Sequence, residues 1–464
     1  MKKILLAIFV FFASLSLSAQ QRTGYFVDSY SLGHLMNPAF APNQGFVGIP
    51  LLSNISVNIN SNLGAGNFLY PLDNGKVGLF LHPKVSSDVV LGKLSDMNFL
   101  DGTLGLDIIN VGWFAGKNSF WTIDAGVKVA ARTALPKDFF RLVKNGMDDE
   151  TGYFNLDNLG MSLDAYSYVS AGYSYSFDDF VKGLRVGGKL KLLAGMLNFA
   201  TRYDDLEIDM SSEVWRLSGS AAGYILGGGV EFTYDPETGV VNGINPDLGG
   251  LGVAGIGGAI DLGIQYKISE GCAVDGLRFS ASVVDLGFIT YFKNKSTHLV
   301  SNGQVAFNGF EDIITESEEV SNQLEDLIDG AVSIVSFRKS EQKGNSTIML
   351  SSKVHAGVDY TFFKNQMNVG LLYVGHFSKI RNQHEMMFSF NYTPAEWFDV
   401  AVSYSFMHTR SSIGWLLSFT PKKGLNLFLG SDYTAVRYTP QGIPVDKSFL
   451  GVNLGISVPI GAKR

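Results

Sequence analysis

The chain has 464 residues, 12% aromatic and 17% charged, with 53 Gly against 13 Pro. That is too hydrophobic and aromatic for disorder, and long enough for one large β domain or two ordinary ones. A formal net charge of −7 with no basic face excludes nucleic acid as a partner, and the single Cys272 excludes an intrachain disulfide.

The N-terminus reads Met1-Lys2-Lys3, an apolar run from Ile4 to Phe12, and a small-residue tail ending Ser18-Ala19-Gln20. This is the order of a secretion signal, so residues 1–19 are expected to be removed and Gln20 to begin the mature chain. No Cys follows the cleavage point, which sets aside a lipoprotein, and no uncharged apolar stretch of about 18 residues follows, so no transmembrane helix is expected.

The mature chain alternates instead. From Trp121 to Arg132 every second residue is apolar and the residues between include Asp124, Lys128 and Arg132. A sheet spanning a membrane must pair every backbone N–H and C=O and therefore closes on itself, its side chains alternating between lipid and lumen. Segments of this kind lie at Phe46 to Asn60, Thr103 to Ala115, Ser119 to Thr133, Leu163 to Phe177, Leu184 to Phe199, Ile256 to Ser269 and Leu277 to Phe292. They continue at Thr347 to Phe363, Met367 to Ser378, His384 to Thr393, Phe398 to Met407, Ser412 to Thr420, Leu425 to Arg437 and Phe449 to Ile460. The fold class expected is all-β, a transmembrane antiparallel β-barrel of about fourteen strands, an even number that leaves both termini in the periplasm.

The connections test the count independently. Short turns fall at Gly116-Lys117-Asn118, Asp178 to Gly183, Glu270 to Gly276, Lys364-Asn365-Gln366, Pro394-Ala395-Glu396 and Pro421 to Gly424, all of one parity. The long connections, Ser61 to Gly102, Ala134 to Ser162, Ala200 to Gly255 and Asn294 to Ser346, have the other, as outer-membrane barrels require. Aromatic residues cluster at the turns: Trp113, Phe114, Phe120 and Trp121; Tyr173, Tyr175 and Phe177; Tyr392, Trp397 and Phe398. They read as a headgroup-level girdle. In the external loops, short helices are expected at Pro136 to Asn145 and Glu316 to Ile328, and a hairpin over Glu207 to Leu217.

Strand phase assigns Asp124, Lys128, Arg132, Arg185, Lys189, Lys191, Asp261, Lys267, Arg278, Lys353, His355, Asp359 and Asp399 to the lumen. Both signs are present, as in a salt-bridge network that braces the wall. The same phase puts Leu372, Val374, Met407, Leu416 and Phe428 inside. A water-filled pore is not lined that way, so the lumen is expected to be plugged, or partly apolar and able to hold a hydrophobic ligand. One strand breaks phase: with Leu277, Phe279, Ala281 and Val283 toward lipid, Asp285 would join them there at a cost of a few kcal/mol. A β-bulge or kink around Val284, Asp285 and Gly287 is expected to return it to the interior.

Chemistry-bearing motifs are scarce. Gly250 to Gly255 matches G-x-G-x-x-G but is followed by a strand, whereas a dinucleotide fingerprint opens a helix. The seven histidines form no zinc-ligand cluster and no G-x-S-x-G elbow is present, so no metal, no cofactor and no enzymatic activity are expected. The acidic run from Glu311 to Asp326 lacks the spacing of a calcium loop and reads as a solvated helix face.

Met36-Asn37-Pro38-Ala39-Phe40, just before the first strand, resembles the Asn-Pro-Ala element of the long-chain fatty-acid transporter family of outer-membrane proteins. Gly188 to Gly195, Ser282 to Ile289 and Leu427 to Tyr433 look still more like an uncharacterised Bacteroidota outer-membrane barrel family, with relatives such as the type IX secretion shuttle barrel. The resemblance implies a plug over residues 20–45, with Asn37, Pro38, Ala39 and Phe40 in it, followed by a barrel over 46–464. It implies an integral outer-membrane protein among lipid and lipopolysaccharide, taking up or holding a hydrophobic small molecule. The alternative is a non-transporting scaffold or shuttle for surface-protein export, with secretion or surface proteins as partners.

Overall fold

The computed structural model describes residues 22–72, 77–146, 151–211, 215–228, 230–236, 240–246, 250, 252–268, 275–307, 337–340, 344–363, 365–407, 410–421, 424–434 and 449–461. The signal sequence, Cys272, the acidic run, the helix expected at Glu316 to Ile328 and the side chain of Met407 lie outside the described residues.

Fourteen antiparallel strands close into a barrel. β1 comprises Gly45–Gly48 and Asn54–Ser61, β2 is Leu100–Ala115, β3 Ser119–Pro136, β4 Gly160–Ser176, β5 Leu184–Asp209, β6 Gly255–Lys267 and β7 Leu277–Tyr291. β8 comprises Ser346–Met349 and Ser352–Phe362, β9 is Met367–Phe377, β10 Gln383–Ala395, β11 Phe398–Met407, β12 Arg410–Phe419, β13 Asn426–Thr434 and β14 Phe449–Ile460. Each pairs with its neighbours in the chain, and β14 returns to β1 through Gly45↔Ile460 and Ile55↔Leu454, so the ring of fourteen strands closes.

Two strands expected to be continuous are broken. β1 is interrupted at 49–53, where Pro50 has no N–H for the ladder, Leu51 takes φ +65° and Leu52 N–H turns back to Ile49 O. β8 breaks opposite a bulge in β7. There Ile260 pairs with Leu286 and Leu262 with Val283, so Val284 and Asp285 together oppose Asp261. Asp285 has φ +60°, a conformation Asp tolerates, and both Val284 and Asp285 are buried.

Outward faces carry Ile123, Val169, Leu190, Leu192, Leu262 and Ile264, all exposed. At the tight-turn end Trp121 lies 4.6 Å from Tyr173, and Trp397 stacks on Phe419. Phe114 and Phe120 are not part of this girdle: they pair across β2 and β3, and the period-2 alternation that sends Trp113 and Trp121 outward turns both inward, where Phe120 is buried.

The long connections build a cap at the other end. Helices α1 (Ala65–Phe68), α2 (Ser87–Leu91) and α3 (Lys137–Asn145) and the hairpin Leu69–Pro71/Val77–Leu79 share a core of Tyr70, Phe80, Val90 and Phe140. β5 continues 26 residues to Asp209 and pairs above the wall with Trp215–Gly227. Among the described residues, no helix is long and apolar enough to cross a membrane.

Candidate functional site

Residues 22–44 lie inside the barrel. Tyr25, Phe26, Val27, Tyr30, Leu32, Leu35 and Met36 form one buried cluster with the inward Leu372, Val374, Met387, Ala401, Leu416 and Phe428. The apolar lumen face of β9 to β13 is thus covered by this segment.

The wall has small residues where the segment meets it. A Cβ at Gly187 would fall 2.1 Å from Pro38 O, and one at Gly263 2.0 Å from Asn37 Oδ1. At Gly370 it would meet Phe26 at 2.5 Å and at Gly414 the Thr23 hydroxyl at 2.4 Å. Asn37 closes a turn whose N–H(Phe40)···O(Asn37) bond is 2.9 Å, and its amide donates to Ile264 O and Ala281 O, each at 3.3 Å. Pro38, Ala39 and Phe40 complete that turn, Ala39 fully buried and Phe40 packed against Tyr25.

Polar contacts pin the segment along its length. The N–H groups of Arg22 and Thr23 both donate to the Asp432 carboxylate at 2.8 Å, and the Thr23 hydroxyl also bonds Asp432 and sits 2.8 Å from Ser403. The Arg22 guanidinium pairs with Glu385 beneath the Tyr433 ring. Burial alone would lower the Arg22 pKa, but Glu385, Tyr433 and Asp432 outweigh it and hold it above the ordinary value. Asp28 pairs with Arg278, which also bonds Asp359 at 2.9 Å. His34 has Nε2 2.9 Å from Asp124 Oδ1 and Nδ1 2.9 Å from Ser31 O, so the ring is anchored at both nitrogens.

A lattice of paired charges braces the wall above. Lys189 meets Asp124 at 2.6 Å. Lys191 lies 2.6 Å from Asp285 and 2.7 Å from Asp261 Oδ2, the latter an ion contact without hydrogen-bond alignment. Lys128 reaches Asp285 at 3.1 Å, and the Asp285 N–H donates to Asp261. Arg132 pairs with Asp164 and touches His376. His355 is buried against Ser282 and stacks on Tyr25, and Asp399 takes hydrogen bonds from Ser29 and Thr393. Arg185 and Lys267 lie nearer the tight-turn end.

Between segment and cap is a cavity of about 100 Å3. Leu35, Leu104, Tyr166, Tyr168 and Leu350 form its apolar wall, with Lys128, Arg132, Lys191 and Lys353 among its charged lining. Leu35 belongs to both this wall and the apolar cluster below. Strand phase found the cations but not Asp107, Asp164, Glu385 or Asp432. Asp107 sits at a second bulge, where register shifts between Asp107 and Ile109; the consecutive Ile108-Ile109 is the only sequence mark of it. Glu385 shares the inward phase of Met387, which was enough to place it.

Residues 38–432 match the model described as a family of unknown function, DUF5723. The chain belongs to this family. The DUF5723 match runs from Pro38 in the turn to Asp432, the carboxylate that receives the segment's first N–H groups. In fold, the chain is similar to the toluene transporter TbuX of Ralstonia pickettii, with 9% identity over 96% of this chain and 99% of that one and a TM-score of 0.42. It is similar also to the toluene transporter TodX of Pseudomonas putida (10%, 96% and 95%, 0.37) and to the monoaromatic hydrocarbon channel CymD (7%, 94% and 94%, 0.33). No curated protein matches it in sequence.

The Thr23 hydroxyl gives a local test of how the segment is held. Thr23→Val keeps the shape and removes the bonds to Asp432 and Ser403, which is expected to weaken seating by about 1–2 kcal/mol. Hydrogen exchange of the amides of residues 22–30 is expected to accelerate accordingly, while the wall amides stay protected.

Proposed function

We propose that this protein is an outer-membrane barrel that takes up or holds a hydrophobic small molecule, with residues 22–44 as its plug and the tight-turn end in the periplasm. What supports the reading is one observation: an apolar lumen face is covered by a segment that is not part of the wall, and Leu35 of that segment is the partition between the face and the cavity above. A static polar pore has no use for such a lining. With the segment in place, the cavity of about 100 Å3 is smaller than the ~150 Å3 that holds benzene, so a larger guest requires the segment to shift. Shifting it joins the cavity to the apolar face of Leu372, Val374, Leu416 and Phe428 and makes one larger chamber with an apolar side.

The test is a mass spectrum of the organic extract of the purified protein, alongside planar-bilayer conductance of full-length protein and a variant lacking residues 22–44. The expected result is a retained hydrophobic compound in the full-length protein, its loss in the deletion variant, and conductance only in the latter. Unchanged ligand retention and conductance on deletion would overturn the reading.

A further inference from the structure

At the end away from the tight turns, side chains bridge the lumen. β2 and β9 are not neighbours in the ring, yet residues 378–382, which join β9 to β10, meet β2. The Arg381 guanidinium lies 3.6 Å from the centre of the Phe99 ring and pairs with Asp101, whose carboxylate also accepts from the Gln383 amide. In the same turn the Lys379 ammonium stands 5.2 Å from the centre of the Tyr224 ring, in the strand that pairs with the extension of β5. The turn is held in shape by its own bonds: the Ser378 hydroxyl donates to Arg381 O and accepts from the Arg381 N–H, and the Ser378 N–H donates to Asn382 Oδ1.

This bridge stands over the cavity of about 100 Å3. β2 runs from this end toward the tight turns, and Asp101 precedes Thr103, which lines the cavity. β9 runs the other way, and Arg381 lies beyond His376, which lines it too. A path from this end into the cavity along β2 and β9 therefore passes Asp101 and Arg381 before it meets Thr103 and His376.

The bridge is weaker than the wall on which it leans. Neighbouring strands are joined by backbone ladders, whereas Arg381 and Gln383 reach Asp101 with their side chains. The Arg381 side chain is 19% exposed, so water screens its ion pair. Its Nε is buried and has no hydrogen-bond partner among the described residues. A permanent brace uses its whole guanidinium, as Arg278 does with Nε on Asp359, Nη1 on Asp28 and Nη2 on Phe26 O.

We propose that residues 378–382 form a gate at this mouth, closed by the clasp of Arg381 and Gln383 on Asp101 and opened when the turn swings off β2. The cavity then has a second barrier, in series with residues 22–44. The gate goes beyond the uptake reading and does not rest on it: the clasp closes the same mouth whatever passes through it.

The test is the rate at which a charged methanethiosulfonate modifies T103C, with the single native cysteine replaced (C272S), in purified full-length protein in detergent. The Thr103 hydroxyl oxygen is buried, so modification is expected to be slow with the clasp intact. R381A is expected to accelerate it at least roughly tenfold, by raising the open fraction. R381K, which keeps a charge on Asp101, is expected to stay nearer the unaltered rate. Folding of each variant is checked by its heat-modifiable mobility in gel electrophoresis. Should R381A not fold, D101N, which keeps the shape and removes the charge, takes its place. A second measurement pins the turn: in the variant lacking residues 22–44, joining D101C to R381C with a short bifunctional methanethiosulfonate is expected to lower bilayer conductance, and reduction to restore it. Absence of conductance before joining would count against the plug and not the gate, and the modification rate then decides. A rate unmoved in folded R381A or D101N, or a conductance unmoved by complete joining, would overturn the proposal.

Discussion

Asp285→Asn is expected to destabilise the barrel by roughly 3 kcal/mol, the low end of the range for removing one partner of a buried ion pair. The cause is the two ammonium groups left behind. Lys191 is 6% exposed and retains Asp261, whereas Lys128 is 25% exposed and loses its ion-pair partner. That partial exposure is why the low end applies. Asn tolerates the left-handed backbone at φ +60° as Asp does, so the loss measures charge and not strain. Asp285→Ala adds a left-handed backbone penalty of about 1–2 kcal/mol and is expected to fall lower still. The measurement is the urea midpoint for unfolding from lipid vesicles, with the order Asp, Asn, Ala. A midpoint for Asp285→Asn within about 0.5 kcal/mol of the unaltered protein, the scatter of an ordinary surface change, would show that the bulge is not held by this lattice.

Gly263→Val combined with Gly187→Val is expected to unseat residues 22–44 while leaving the barrel closed. A Cβ at these positions would stand 2.0 Å from Asn37 Oδ1 and 2.1 Å from Pro38 O, well inside any contact a real side chain makes, so the turn at Asn37 has to leave its seat. The wall loses nothing by the change, because valine is the better strand residue. Three readouts are expected: protease cleaves the segment in intact vesicles, bilayer conductance rises from the closed level, and the heat-modifiable mobility of the barrel is retained. A double variant whose segment stays protease-resistant and whose conductance stays closed would mean that the glycines do not form the seat.

Much of the wall was legible because a strand across a membrane obeys a two-residue rule that each residue's own type reports. Phase assigned Asp124, Lys189, Lys191 and Asp261 to the lumen, and all four side chains are buried. The sequence also marked Asp285 as out of step, and the register there shifts. Phase says which face a side chain takes and nothing about what it meets. It therefore assigned Leu372, Leu416 and Phe428 to the lumen without showing that Tyr25, Tyr30 and Leu35 cover them. It left out Asp432, although Asp432 lies four residues along from the inward Phe428 and shares its phase, and it could not show that the N–H groups of Arg22 and Thr23 meet that carboxylate. Phe114 and Phe120 fell in with the girdle for a different reason, since clustering at a turn says nothing of the alternation that turns them inward.

What the sequence determined by itself is the closed antiparallel sheet, its strand number and the sidedness of its connections, since each depends on patterns a few residues long. What only the tertiary structure decided is the pairing inside the barrel: Arg22 with Glu385, Thr23 with Asp432, His34 with Asp124, Lys128 with Asp285. These partners are separated by 90 to 409 residues. Closure of the sheet brings them together, and alternation along any one strand carries no record of the strand that will face it across the lumen.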